Sequence, residues 1–161
     1  MSEMLIIFVF KAIFYVFFGC TMEVTFSVFG IERVMQAEVP KRVPPKYKEG
    51  FISLYMFPLY ALMLPLGFES SYALISEWHW GFRFMFWAIS ITAFEAIYGW
   101  FELKVLGFYT WDYYKLSRFK VFKEGLTLWT LIPCWGIAGM LLEQYAQLLS
   151  KFAPIVVSHF S

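Results

Sequence analysis

Four glutamates stand inside apolar stretches of this chain: Glu23, Glu69, Glu95 and Glu143. A carboxylate at the centre of a membrane-length helix costs about 2.5–3.5 kcal/mol on insertion scales. One such residue in each stretch therefore calls for a use. The candidates are an interhelical hydrogen bond, a paired charge, or a polar pocket for an ion, a proton or a lipid headgroup. Lys11 is a further charge inside the first stretch, and Arg83 stands at the edge of the third. If the stretches cross in alternating directions, Glu23 and Glu95 fall in the inner half, while Lys11, Glu69 and Glu143 lie nearer the outer surface with Arg83. The expectation is a self-neutralising outer cluster of Lys11, Glu69, Glu143 and Arg83. The inner pair, Glu23 and Glu95, has no basic residue at its own depth and must hold a proton, share one, bind a cation or be reached from the loops. Asp112, in "TWDYYK", is the last candidate, either as a turn-forming residue or as a reactive carboxylate near the inner face.

Spacing adds a direction. Glu95, Gly99 and Glu102 recur at helical intervals, as do Gly19, Glu23 and Ser27, and Gly136, Gly139 and Glu143. Small residues let helices approach closely, so Gly19, Gly99, Gly136 and Gly139 read as packing positions and the glutamates as pointing into a bundle. Trp111, Tyr113 and Trp135 suit a membrane interface. No GxSxG, HExxH, Walker or Cys/His signature occurs, so neither a metal nor a cofactor is expected and an enzymatic activity stays open. Cys20 and Cys134 read as buried small residues; His79 and His159 read as interfacial.

The elements that must position these groups follow from composition. Of 161 residues, 60% are apolar, 23% aromatic and only 16% charged, against about 45–50% apolar and about 25% charged in soluble domains. This is an all-α, polytopic membrane composition in a single domain, 1–161. Four segments are long enough to cross: about 5–30, 51–75, 82–103 and 126–147. Pro58 and Pro65 predict a kink in the second, and Pro133 falls inside the fourth. The tail "FAPIVV" is too short to span and suits the interface. No cleavable signal peptide, internal repeat or low-complexity tract stands out.

Charge orients the segments. The first loop holds Arg33, Lys41, Arg42, Lys46 and Lys48; the third holds Lys104, Lys115, Arg118, Lys120 and Lys123; the short second loop holds none. In a four-span chain the first and third loops share a side, which the positive-inside rule makes cytoplasmic, with both termini outside. A bacterial inner membrane is the expected location. "VPKRVPP" (39–45) reads as stiff and extended. The basic, aromatic third loop suits a lipid surface. With a net charge of +1, nucleic acid is not expected as a partner; membrane lipids are, together with a homo-oligomer or a larger membrane complex.

Taken together, "GCTME", "EGFISLYMFPLYAL", "FEAIYGWFE", "WDY" and "IPCWGIAGMLLEQY" resemble the transmembrane protein 229 family, over about Gly19 to Tyr145. The matching elements are Gly19 with Glu23, Glu95 with Gly99, Trp111-Asp112-Tyr113 at the family's distance from Glu95, and Trp135 with Glu143. Bacterial members are named CmpB-type ABC-transporter permeases, so the resemblance implies a multipass membrane protein with a transporter label. The chain departs from the pattern at Lys48-Glu49-Gly50-Phe51, where relatives carry Asn-Arg-Gly-Phe, and at Tyr114 after "WDY". Glu102 is one position from the family's second glutamate, so no role carries over to it. Three functional readings follow: a transport or lipid-handling component with a carboxylate-lined polar pocket, an accessory subunit of a larger complex, and an intramembrane lipid-processing enzyme.

Overall fold

The computed structural model describes residues 2–44 and 48–160; Pro45 of the extended stretch and Lys46 of the first basic loop lie outside them. The described residues form helices and turns, with one isolated bridge between Lys120 and Leu128 and no strand. Helix α1 (Glu3–Phe29) starts where the Ser2 side chain accepts from the Leu5 amide, and nothing in its apolar run breaks it before Gly30. A short α2 (Ile31–Met35) follows. The second rod, α3, covers 56–75: Met56–Pro58 and Glu69–Ile75 are α-helical, and Leu59–Phe68 between them is π-helical. Around Pro65, in the segment where Pro58 and Pro65 predict a kink, the chain widens its helix. Pro65 donates no backbone hydrogen bond, and the Glu69 amide bonds back to the Leu64 carbonyl, five residues earlier.

Helix α4 (Trp80–Leu106) is capped by the His79 ring and ends at Gly107, whose φ of +78° lies in the left-handed region. Helix α5 (Ile132–Phe160) begins later and ends later than expected. Pro133 sits in its first turn, where no backbone donor is needed, so 126–131 is excluded from the helix. The tail expected at the interface continues the same helix through Pro154.

Two helices, α1 and α4, are long and apolar enough to cross a membrane. The molecule is built from two antiparallel hairpins. α1 packs on α3, and α4 packs on α5 in the most extensive contact of the molecule; α1 and α5 join the hairpins. Large apolar side chains such as Phe17, Trp100 and Ile155 face outward.

The third loop has two sides: Leu116 and Phe122 are exposed among its basic residues, and the other side is packed inward. Tyr109, Trp111, Tyr114, Leu126, Thr127, Leu128 and Leu131 are buried in it, forming one core with Ile31 and Met35 of α2. Ser117 Oγ donates to the Met35 carbonyl and Thr130 Oγ1 to the Val34 carbonyl, both at 2.8 Å. The two basic loops therefore meet at one end of the bundle.

Candidate functional site

The expected outer group comes together as two ion pairs. Lys11 Nζ lies 2.6 Å from Glu69 Oε2, and it also donates to Ser150 Oγ at 3.1 Å; Tyr15 donates to Glu69 Oε1 at 2.7 Å. Arg83 Nε lies 3.2 Å from Glu143 Oε2, and Trp87 Nε1 donates to Glu143 Oε1 at 2.7 Å. Glu143 is fully buried. Charge on each glutamate is thus met by a cation one helix away, which offsets the desolvation of both.

Glu23 and Glu95, expected as an inner pair, meet different donors and lie around the same two phenols. Glu95 accepts from Thr127 Oγ1 at 2.5 Å, Trp135 Nε1 at 3.1 Å and the Tyr114 hydroxyl at 3.3 Å. Tyr60 of α3 lies beside Glu23 and interacts with it. Tyr113 and Tyr114 lie within electrostatic reach of both carboxylates. Burial first, then the charges of Glu23 and Glu95, pushes the Tyr113 phenol above its ordinary range; burial and then Glu95 do the same to Tyr114. Both phenols keep their protons and remain available as donors.

The small residues sit where helices or loops touch. A Cβ on Gly139 would come within 2.3 Å of the Trp87 Cβ and Cγ, one on Gly136 within 2.6 Å of the Phe84 ring, and one on Gly19 within 2.5 Å of the Tyr60 ring. A Cβ on Gly99 would meet the Trp111 ring at 2.9 Å. Glu95, Gly99 and Glu102 therefore form a rail on which the third loop docks. Thr110 gives its amide and hydroxyl to Glu102 at 2.9 and 3.0 Å, Trp111 lies on Gly99, and Tyr114 and Thr127 reach Glu95. Trp111, read as interfacial, is buried and donates to the Leu126 carbonyl at 2.8 Å. Asp112 is exposed, 3.7 Å from Lys115, away from the buried carboxylates.

One arrangement unites these contacts, and it was present in the sequence unread. Each of the four glutamates meets an aromatic residue on its hairpin partner: Glu69 accepts from Tyr15, Glu95 from Trp135 and Glu143 from Trp87, and Tyr60 lies beside Glu23. Each of these aromatics also precedes the glutamate of its own helix. The interval is eight positions in Tyr15–Glu23, Trp87–Glu95 and Trp135–Glu143, and nine in Tyr60–Glu69, where the π-helical segment absorbs the extra residue. The cations repeat as well: Lys11 and Arg83 each stand four residues before their aromatic. So does the entry to the second helix of each hairpin, Lys48-Glu49-Gly50 with Pro58-Leu59-Tyr60 and Lys123-Glu124-Gly125 with Pro133-Cys134-Trp135. The two hairpins are a tandem repeat in parallel orientation. The signal was missed because periodicity sorts apolar from polar faces and does not link an aromatic to a carboxylate two turns along.

Open space lies where the repeats meet, at the end of the bundle away from the basic loops. A groove of about 590 Å³ is lined by Glu3, Ile7, Lys11, Ser150, Ala153 and Ser158, among others. A second, of about 430 Å³, is lined by Glu69, Tyr72, Ser76, Gln147, Ser150 and Lys151, among others. Lys11 and Glu69 come from the first hairpin and Ser150 from the second, so their contact is the partition between the grooves. Among the described residues no group of His, Cys, Asp and Glu is arranged to hold a metal ion. Compared with protein-family models, curated proteins and solved structures, the chain matches none.

Proposed function

We propose that this chain is a small four-span membrane protein of the transmembrane protein 229 type, acting in transport or lipid handling, with its site at the cleft divided by Lys11, Glu69 and Ser150. The observation that carries the reading is that an ion pair with a hydroxyl partner separates two open grooves at the junction of two repeats. Parallel repeats, and binding sites at the repeat interface beside an interrupted helix, are features of secondary transporters. Here the interrupted helix is α3, which supplies Glu69 directly after its π-helical segment. The grooves combine apolar walls with a cation and a carboxylate. A zwitterionic amphiphile suits that lining, because its two charges can replace Lys11 and Glu69 for one another without leaving either bare. In this reading the basic loops face the cytoplasm, both termini face out, and the bacterial inner membrane is the setting.

Movement of a fluorescent phosphatidylethanolamine between leaflets tests this, in proteoliposomes holding the full chain. Wild type is expected to accelerate exchange, and the double variant Lys11→Met, Glu69→Gln, which leaves neither charge bare, to abolish the acceleration while leaving yield and melting temperature near wild type. Wild-type exchange no faster than empty vesicles, or unchanged exchange in the double variant, removes the cleft from the function.

A further inference from the structure

The repeat has one incomplete member. Three buried side-chain atoms lack a hydrogen-bond partner among the described residues: Arg83 Nε, Glu143 Oε2 and Glu23 Oε2. The first two face each other at 3.2 Å as an ion pair, which leaves Glu23 Oε2. Its counterpart in the second hairpin is Glu95, which has the same cross-helix aromatic partner and two hydroxyl donors besides, from Tyr114 and Thr127. Thr127 stands two residues after Gly125; the residue two after Gly50 is Ile52, a hydrocarbon. The first hairpin thus keeps the carboxyl and omits a hydroxyl that would satisfy it.

The surroundings of Glu23 offer no substitute. Tyr60 reaches it from α3, Tyr113 from the third loop and Cys20 from its own helix, with Tyr114 and Glu95 beyond. None of these brings positive charge, and no Lys or Arg acts on Glu23 among the described residues. One carboxylate and two phenols supply too few oxygens for a metal cation, which takes six or more in a calcium or magnesium site. A buried carboxylate oxygen without donor or counter-charge is met most simply by a hydrogen ion.

We propose that Glu23 is the chain's exchangeable proton site: it takes up a proton as a neutral carboxylic acid and releases it as a carboxylate towards the end of the bundle where the basic loops meet. Glu69, Glu95 and Glu143, each held by donors or a cation, do not exchange. This goes beyond the cleft reading and does not depend on it, since Glu23 belongs to the opposite half of the bundle.

Dicyclohexylcarbodiimide, which enters lipid and reacts with protonated carboxyls, tests it on the full chain in detergent, with the adduct mapped by peptide mass. One adduct per chain is expected, on Glu23, forming about tenfold more slowly for each pH unit once the carboxyl is mostly ionised, and indifferent to sodium ions. Ile52→Thr, which restores the hydroxyl of the second hairpin, is expected to slow labelling several-fold at fixed pH. An adduct on Glu69, Glu95 or Glu143, no adduct at acid pH, or a rate independent of pH would overturn the assignment. So would protection by sodium, which marks a metal-cation site, or an unchanged rate in Ile52→Thr.

Discussion

Arg83 and Glu143 separate two contributions that are easily confused: what a buried ion pair adds, and what breaking it costs. Glu143 is fully buried, and Arg83 keeps 18% of its side chain exposed. Replacing Arg83 alone by Met leaves a carboxylate in an apolar core, so Arg83→Met is expected to destabilise by about 3–5 kcal/mol. The double variant Arg83→Met, Glu143→Leu removes both charges and is expected to recover most of that loss, short of about 1 kcal/mol for the Trp87 indole left without its acceptor. Unfolding in mixed micelles, followed by tryptophan fluorescence, measures both. Equal losses in the single and double variants would show that the pair adds stability of its own. Trp135→Phe, which removes one of three donors to Glu95, is expected to cost about 0.6–1.7 kcal/mol, the range of single hydrogen bonds between membrane helices.

At the scale of elements, glycine decides how closely α4 and α5 approach. Gly139 has the Trp87 side chain at 2.3 Å from a built Cβ, whereas Gly67 on α3 has only the end of Met63, at 3.4 Å. Gly139→Ala must therefore move a helix or the Trp87 ring, and with it the indole bond to Glu143. A loss of about 1–3 kcal/mol is expected. Gly67→Ala meets only a flexible methyl and is expected to fall within about 0.5 kcal/mol of wild type. Thermal melting of the two variants side by side checks the contrast. Gly99→Ala should act differently again, loosening Trp111 and the docked third loop. Its expected signature is faster proteolysis between 107 and 131 with the helices left intact.

At the scale of the whole molecule, two hairpins repeat in parallel, and both basic loops meet at one end. The α2 carbonyls of Val34 and Met35 are bonded from the third loop, and Arg118 bonds Gln36. Cysteines introduced at Gln36 and Arg118, with Cys20 and Cys134 replaced by Ala, are expected to be joined within one chain by a short bismaleimide cross-linker, since the two long native side chains meet at their tips. A membrane-impermeant maleimide added to intact cells should label Ser2→Cys and Ser158→Cys, but Lys123→Cys only after permeabilisation. Labelling of Lys123→Cys in intact cells would invert the orientation, and labelling of the two terminal cysteines from opposite sides would exclude an even number of spans.

Much of this was legible in one dimension. Apolar length marked four helical segments, because a helix without a polar face needs no partner to be recognised. Glycine and carboxylate at helical intervals marked the inward faces, and loop charge placed the two basic loops together. What sequence could not decide was which donor meets which of the four intrahelical glutamates, because those partners lie 19 to 58 residues apart and only packing brings them within bonding distance. Apolarity also misread 126–131, whose buried residues serve a docked loop as readily as a helix. The Lys/Arg–aromatic–Glu repeat lies between these cases: its spacing is written in the sequence, but its meaning needs antiparallel helices that place each aromatic opposite its partner's glutamate. Only then does Glu23 stand apart, as the carboxyl with a buried oxygen that the fold leaves unanswered.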